Sequence, residues 1–190
     1  MNYKENKSGD ASSHELALRC FAESLQIKRD YLVSLNSNDY AYSRIKSSIN
    51  VDLRKLHDLG PHLLSKSVLD LASSKGVKID FSTFKNGTNS KQILGADYPL
   101  QLEHVFPVAQ TVSLILSTPL GEPLYSLIHE TSYTAWILEE EDERIKEISF
   151  RESPRLSYQN AEIELLEKVC EKWIQFDWSN IEEWAAKSVG

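Results

Sequence analysis

Glutamate and histidine stand side by side at positions 103 and 104, inside the apolar, strand-like run LQLEHVFP. The run stops at Pro107, which cannot donate to a strand ladder. These two titratable side chains either face water or belong to a site. We favour a site, because His104 is the only one of the five histidines that directly follows a carboxylate residue.

A run of five acidic residues, Glu139 to Glu143, is the second group that could do chemistry. It follows SYTAWIL, whose aromatic and β-branched residues favour a strand, and acidic residues suit the first turn of a helix. Such a run is commonly the solvated face of a helix. If a histidine from a neighbouring strand lies close, the carboxylate oxygens of this run could instead bind Mg²⁺ or another hard cation.

Together the two segments resemble HNH nucleases over about residues 100–147. LEHVFP is similar to the first strand of that ββα-metal motif (Asp/Glu-His, apolar, any residue, Pro), and AWILEEEDERIKE is similar to its second strand and helix. The resemblance implies that His104 is the general base that activates water and that Glu103 is a ligand of one divalent metal ion. Asp142 or Glu143 would supply the ligand from the helix, where the family has Asn, His or Asp.

The remaining pattern predicts an α+β, mostly helical protein with a helical N-terminal half, a small central antiparallel sheet and a helical C-terminal tail. We expect a disordered lead-in over 1–12 and a single domain over 13–190. That domain divides into a helical part (13–76), a strand-containing centre (77–150) and a helical tail (151–190). Alternation in VKIDF, the apolar run LQLEHVFP and the strand-favouring residues of SYTAWIL predict three strands, and two short helices are predicted between the last two.

The tail is predicted as one long helix followed by a short one. Ile163, Leu166, Cys170, Trp173 and Ile174 form a stripe at roughly helical spacing. Cys20 and Cys170 each lie in an apolar helical pattern and are expected to be buried thiols, with a disulfide between them as the less favoured alternative. Trp173, Trp178 and Trp184 are expected to pack in the core rather than stack on bases.

The charge is unevenly divided along the chain, which has a net charge of −7. Residues 1–100 hold 14 basic and 11 acidic side chains, whereas residues 101–190 hold 7 and 17. Phosphate binding therefore suits the first half. The candidate phosphate contacts there are Lys66, Lys85 and Lys91. In the second half, Arg151 and Arg155 could contact phosphate or could neutralise Glu139 to Glu143.

Two functions follow as hypotheses. The leading one is a metal-dependent DNA endonuclease of HNH-like type, a hydrolase of phosphodiesters with a role in restriction or defence. The alternative is a non-catalytic protein-binding module, such as an immunity or antitoxin protein, whose acidic half covers a basic partner. The sequence contains no apolar run of membrane-spanning length and no signal peptide, so we expect a cytoplasmic protein.

Overall fold

Helices and a five-stranded sheet make up the chain that the computed structural model describes, which comprises residues 13–56, 62–81, 93–95, 97–148 and 153–189. The helices are α1 (Ser13–Val33), α2 (Tyr40–Lys55), α3 (Lys66–Ser74), α4 (Val108–Ser117), α5 (Tyr125–Thr131), α6 (Glu139–Glu147), α7 (Pro154–Asn160) and α8 (Ser179–Val189). The strands are β1 (His62–Ser65), β2 (Leu100–His104), β3 (Thr134–Leu138), β4 (Leu165–Val169) and β5 (Lys172–Gln175). The predicted α+β, mostly helical class is therefore confirmed.

The strands form one mixed sheet in the order β2-β3-β1-β4-β5. β3 pairs with β2 in the antiparallel sense and with β1 in the parallel sense, while β4 is antiparallel to both β1 and β5. The predicted pairing of the strands near 101–106 and 133–138 is thus confirmed. The sheet differs from the antiparallel prediction only at the β1–β3 ladder.

Each face of the sheet packs on its own apolar cluster. Alternate residues of a strand point to opposite faces. Accordingly Leu63, Ala135 and Ile137 join the larger cluster, with most of the helices, and Leu64 and Trp136 join the smaller one. Strand β3 is buried along its whole length because helices or loops cover both of its faces.

Strand β1 was missed by the sequence analysis, and VKIDF is not a strand. HLLS is only four residues long and is largely buried on both faces, so it shows no alternation of polar and apolar residues. In residues 77–81 apolar and polar residues do alternate, but the apolar ones only pack against the core. Val77, Ile79 and Phe81 contact the smaller cluster without joining a ladder.

The long C-terminal helix predicted from the apolar stripe is wrong over most of its length. Only α7 is helical there, and β4 and β5 form a hairpin. Cys170 and Glu171 occupy its two-residue turn with φ of 48° and 66°, the left-handed geometry that favours a tight hairpin turn. The expected burial of the thiols is wrong as well, since Cys20 and Cys170 are both exposed.

The lead-in predicted over 1–12 lies outside the described residues. Within the described part of the chain, no helix is both long enough and apolar enough to cross a membrane.

A buried arginine ties α1 to the loop between α4 and α5. Arg29 is 0% exposed. Its Nη1 donates to the carbonyl oxygens of Thr118 and Pro119 at 3.0 and 3.1 Å, and its Nη2 donates to that of Glu122 at 3.4 Å. Its Nε donates to the half-exposed carboxylate of Asp30 at 2.6 Å, which balances the charge.

We expect Arg29→Met to lower the free energy of unfolding by about 1–3 kcal/mol, because loop carbonyls lose buried donors. Urea denaturation measures the loss. Arg19→Met on the same helix is the matched control. Arg19 is exposed and forms an ion pair with Glu15, so its replacement should cost clearly less. Equal losses in the two variants would contradict a structural role for the buried guanidinium.

Candidate functional site

Two carboxyl groups, those of Glu103 on β2 and Asp142 on α6, lie close enough for Asp142 to raise the pKa of Glu103. Glu103 is opposite Ala135 in the β2–β3 ladder, and β3 runs directly into α6. The N–H of Glu139, the first residue of α6, donates to the carbonyl oxygen of Pro99 just before β2 at 2.9 Å. These connections hold the strand with one carboxyl group against the helix with the other.

Ionisation of both carboxyl groups of this pair is unfavourable. Burial raises the pKa of Glu103 to about 7, and the hydrogen bond and charge of Asp142 contribute to the rise. The positive charge of Lys146 opposes the rise, but less strongly. Two ionised carboxylates are both acceptors, so a hydrogen bond between them requires that one of them hold a proton. Near neutral pH the pair can therefore take up or release a proton.

A third carboxylate, that of Glu141, fixes the start of α6. Glu141 is 1% exposed. Its Oε2 accepts from Ser65 Oγ at 2.6 Å and from the N–H of Leu138 at 2.9 Å. A glutamate that reaches back to the residue before its helix satisfies an N–H that has no partner within the helix. We call Glu103, Glu141 and Asp142 the carboxylate cluster.

The phenol of Tyr158 on α7 faces this cluster. Tyr158 is 1% exposed, and its hydroxyl has no hydrogen-bond partner among the described residues. Burial raises its pKa well above the usual value, and the charges of Glu103, Asp142 and Glu141 raise it further. The hydroxyl therefore keeps its proton and is a donor beside the carboxylates.

Two buried oxygens of the cluster lack a hydrogen-bond partner among the described residues, Oε1 of Glu141 and Oδ1 of Asp142. The other oxygen of Asp142 accepts from Lys146 Nζ, whose side chain is 66% exposed. The carboxylates of Glu103 and Asp142 thus interact with one cation that is mostly in solvent. Buried, partnerless carboxylate oxygens are costly unless a proton or a cation binds them.

The number of ligands that the described residues can offer determines which divalent cation would suit the site. Within the described ranges, no group of three or more His, Cys, Asp or Glu side chains is arranged to hold a metal ion. Mg²⁺ usually keeps several waters and takes one or two carboxylates, with substrate phosphate oxygens completing its shell. Glu103 and Asp142 fit that partial set, and they do not fit a closed all-protein site.

Comparison with known proteins assigns no family to the chain. No protein-family model, no curated protein and no solved structure matches it. The chemistry of the site is therefore inferred from its own geometry.

The side chains of Glu103 and His104 leave opposite faces of β2. Adjacent strand residues could serve one site only if the strand end twisted. Instead the ladder continues past His104, and the N–H of Val105 donates to the carbonyl oxygen of Tyr133 at 3.0 Å. The structure thus brings Glu103 to the carboxylate cluster and does not bring His104 there.

His104 lies in a row of polar residues on the other face. It is opposite Thr134 in the β2–β3 ladder, and His62 is opposite Thr134 in the β3–β1 ladder. Thr134 is buried, and its Oγ1 is 2.8 Å from Nδ1 of His62. The histidine predicted as a general base is therefore placed among strand residues of the smaller apolar cluster.

The other predicted site residues lie away from the cluster or outside the described residues. Glu143 is exposed on α6. Lys66 forms an ion pair with Asp70, and Arg155 forms one with Glu182 at 3.1 Å. The remaining predicted phosphate contacts, Lys85, Lys91 and Arg151, lie outside the described residues.

Three polar residues of the site were missed by the sequence analysis. Glu141 was treated only as one member of an acidic run, although its position three residues after the last strand residue is the spacing of a capping glutamate. Lys146, one turn after Asp142, could have been found from i,i+4 pairing. Tyr158 lies in the segment that was predicted as a long helix, and no pattern pointed to it as a site residue.

In the absence of divalent metal, the pair should make stability depend on pH. A carboxyl group whose pKa is raised in the folded state contributes stability that is complete below its unfolded value, near 4.5, and is lost as pH rises through about 7. The free energy of unfolding of the wild type should therefore fall relative to that of Glu103→Gln between pH 5 and pH 8, by about 1–3 kcal/mol. Denaturant titrations across this range measure the difference.

Glu140→Gln is the control for this experiment, because Glu140 is exposed on the same helix. Its stability should follow the wild-type pH profile. A wild-type profile parallel to that of Glu103→Gln would mean that Glu103 titrates as an ordinary surface carboxylate.

Proposed function

We propose that the chain is a divalent-metal-dependent phosphodiesterase, an HNH-like endonuclease whose ion is held by Glu103 and Asp142. The observation that carries the proposal is that these two carboxyl groups interact across a strand–strand–helix unit formed by β2, β3 and α6. The partnerless Oδ1 of Asp142 supports it, because a buried carboxylate oxygen gains most from a cation.

The chemistry divides between the ion and the chain. Bound Mg²⁺ would lower the pKa of a coordinated water and stabilise negative charge on a phosphate oxygen. Glu103 would release its proton to solvent to act as a ligand, and Lys146 would offset part of the charge that the pair then carried. Tyr158 keeps its proton and can donate a hydrogen bond to the cluster.

The nucleic-acid contacts in this proposal differ from those that the sequence suggested. Lys66 already pairs with Asp70 on the same helix, and Arg155 already pairs with Glu182 on α8. Helix α2 instead presents four exposed basic side chains, Arg44, Lys46, Arg54 and Lys55. We assign the phosphate-binding role to this helix, because phosphate contacts need cations that lie in solvent.

Mg²⁺ or Mn²⁺ should raise the melting temperature of the wild type and leave that of Glu103→Gln unchanged. A ligand that binds only the folded state at a hundredfold excess over its Kd adds about 2.7 kcal/mol. The shift should grow as pH rises through about 7, because Glu103 must lose its proton to bind the ion. Differential scanning calorimetry with and without metal measures it, and Glu140→Gln should respond like the wild type. A shift that survives in Glu103→Gln would place the ion on the exposed acidic residues of α6.

Cleavage of DNA should depend on the cluster and not on His104. With Mg²⁺ or Mn²⁺ and plasmid DNA, Glu103→Gln and Asp142→Asn should lose activity by about 10²-fold or more, as expected when metal-held charge stabilisation is removed. His104→Ala should keep activity within a few-fold of the wild type. If His104→Ala abolished cleavage while keeping its fold, the general-base role implied by the HNH resemblance would be restored to His104.

A second function is favoured by the charge of the exposed face of α6. Glu139, Glu140 and Glu143 are exposed and, with Asp97 and Tyr98, line a cavity of about 220 Å³. An acidic surface of this kind suits a basic protein partner, as in an immunity or antitoxin protein. A stoichiometric complex with one basic protein that weakens in Glu139→Gln/Glu140→Gln, but not in Glu103→Gln, would support this alternative.

A further inference from the structure

A second cavity, of about 650 Å³, opens between α7, the β4–β5 hairpin and the start of α8. Its volume is that of a small-molecule site. It was not indicated by any motif in the sequence, because its lining comes from the segment predicted as one continuous helix. The pairing of β4 with β5 is what creates its walls.

Aromatic rings form one wall of this cavity. The ring centroids of Phe176 and Trp178 are 5.2 Å apart, and those of Trp178 and Tyr158 are 5.5 Å apart. Phe176 and Tyr158 are buried, whereas Trp178 is half-buried. The indole of Trp178 is therefore the ring that a bound group can reach.

Carboxylates form the rim. Glu162 and Glu164 are exposed, and Asp177 is exposed beside them. Hydrogen bonds from the Oγ and N–H of Ser179 lower the pKa of Asp177, so that this carboxylate stays ionised. The rim thus presents three negative charges at neutral pH.

Arg155 is the one basic side chain among the described residues that line the cavity. It forms an ion pair with Glu182 at 3.1 Å, and Glu182 does not belong to the lining. Its charge and that of Lys66, which lies close enough to Glu164 to interact with it, together offset only part of the charge of the three rim carboxylates. The field in the cavity therefore favours a cation.

We propose that this cavity binds a guanidinium group, which stacks on the indole of Trp178 and pairs with the carboxylates of Glu164 and Asp177. A guanidinium group is planar, is weakly hydrated and donates through two parallel N–H groups, so it suits an aromatic face beside carboxylates better than a compact ammonium group does. The group could belong to a free small molecule or to an arginine side chain of a protein. This site does not depend on metal binding at the carboxylate cluster.

The test is a titration with N-acetyl-arginine amide at low salt, followed by tryptophan fluorescence and by calorimetry. N-acetyl-citrulline amide, which has the same shape without the charge, is the matched ligand control. We expect saturable binding of the arginine compound alone, and loss of the fluorescence change in Trp178→Phe. The affinity should fall about threefold or more in Glu164→Gln, as expected for the loss of one partly exposed ionic contact.

Two further variants make the result unambiguous. Glu23→Gln, at an exposed position on α1 outside the cavity, should bind like the wild type. Arg155→Gln should bind more tightly, because it removes the competing cation, and this gain cannot come from a damaged fold. The melting temperature of each variant is measured alongside.

Equal binding of the citrulline compound, no saturable binding of the arginine compound, or unchanged binding in both Glu164→Gln and Arg155→Gln would overturn the proposal. Agmatine and acetyl-Gly-Arg-Gly-amide identify the source of the group. Tighter binding of agmatine indicates a free small cation, and tighter binding of the peptide indicates an arginine of a protein partner. Either result supports the site.

Discussion

The hydrogen bonds that the buried carboxylate of Glu141 accepts hold together the two strand-to-helix junctions on which the carboxylate cluster depends. One of its oxygens accepts from Ser65, at the junction of β1 and α3, and from the N–H of Leu138, at the junction of β3 and α6. Because β1 and β3 are parallel neighbours, a single acceptor closes both strand-to-helix turns. Ser65 at the same time accepts from the N–H of Val68 and caps α3. Asp142 is the next residue along α6, so its place against Glu103 follows from this contact.

The alternation of β2 then determines which residues can act together. Glu103 faces α6 and the buried oxygens of the carboxylate cluster, whereas His104 faces the row that contains Thr134. Burying like charges is unfavourable, and the pair relieves the cost by holding a proton or, in our proposal, a cation. Tyr158 closes the cluster on one side and belongs to the wall of the cavity at Trp178 on the other. The two proposed cation sites thus share one buried side chain.

The strongest sequence signals gave the strand–strand–helix unit correctly. The segments near 101–106 and 133–138 alternate or are continuously apolar, and the acidic run that follows suits a helix start, so local pattern and tertiary structure agree there. The β4–β5 hairpin was missed because its apolar residues happen to repeat at helical spacing, while its turn uses Cys170 and Glu171 in left-handed conformations that neither residue signals. The site itself could be predicted only in part, since the contact of Glu103 with Asp142 depends on how α6 lies over the sheet.

The central claim is that Glu103 and Asp142 together bind a divalent cation, and anomalous scattering from Mn²⁺ tests it most directly. The crystals are grown or soaked at pH 8. This pH is above the pKa of Glu103, so that Glu103 can lose its proton and act as a ligand together with Asp142. The account predicts an anomalous peak within ligand distance of a carboxylate oxygen of each of the two residues. A peak bound only by the exposed Glu139, Glu140 or Glu143, or no peak at the carboxylate cluster at saturating Mn²⁺, would contradict it.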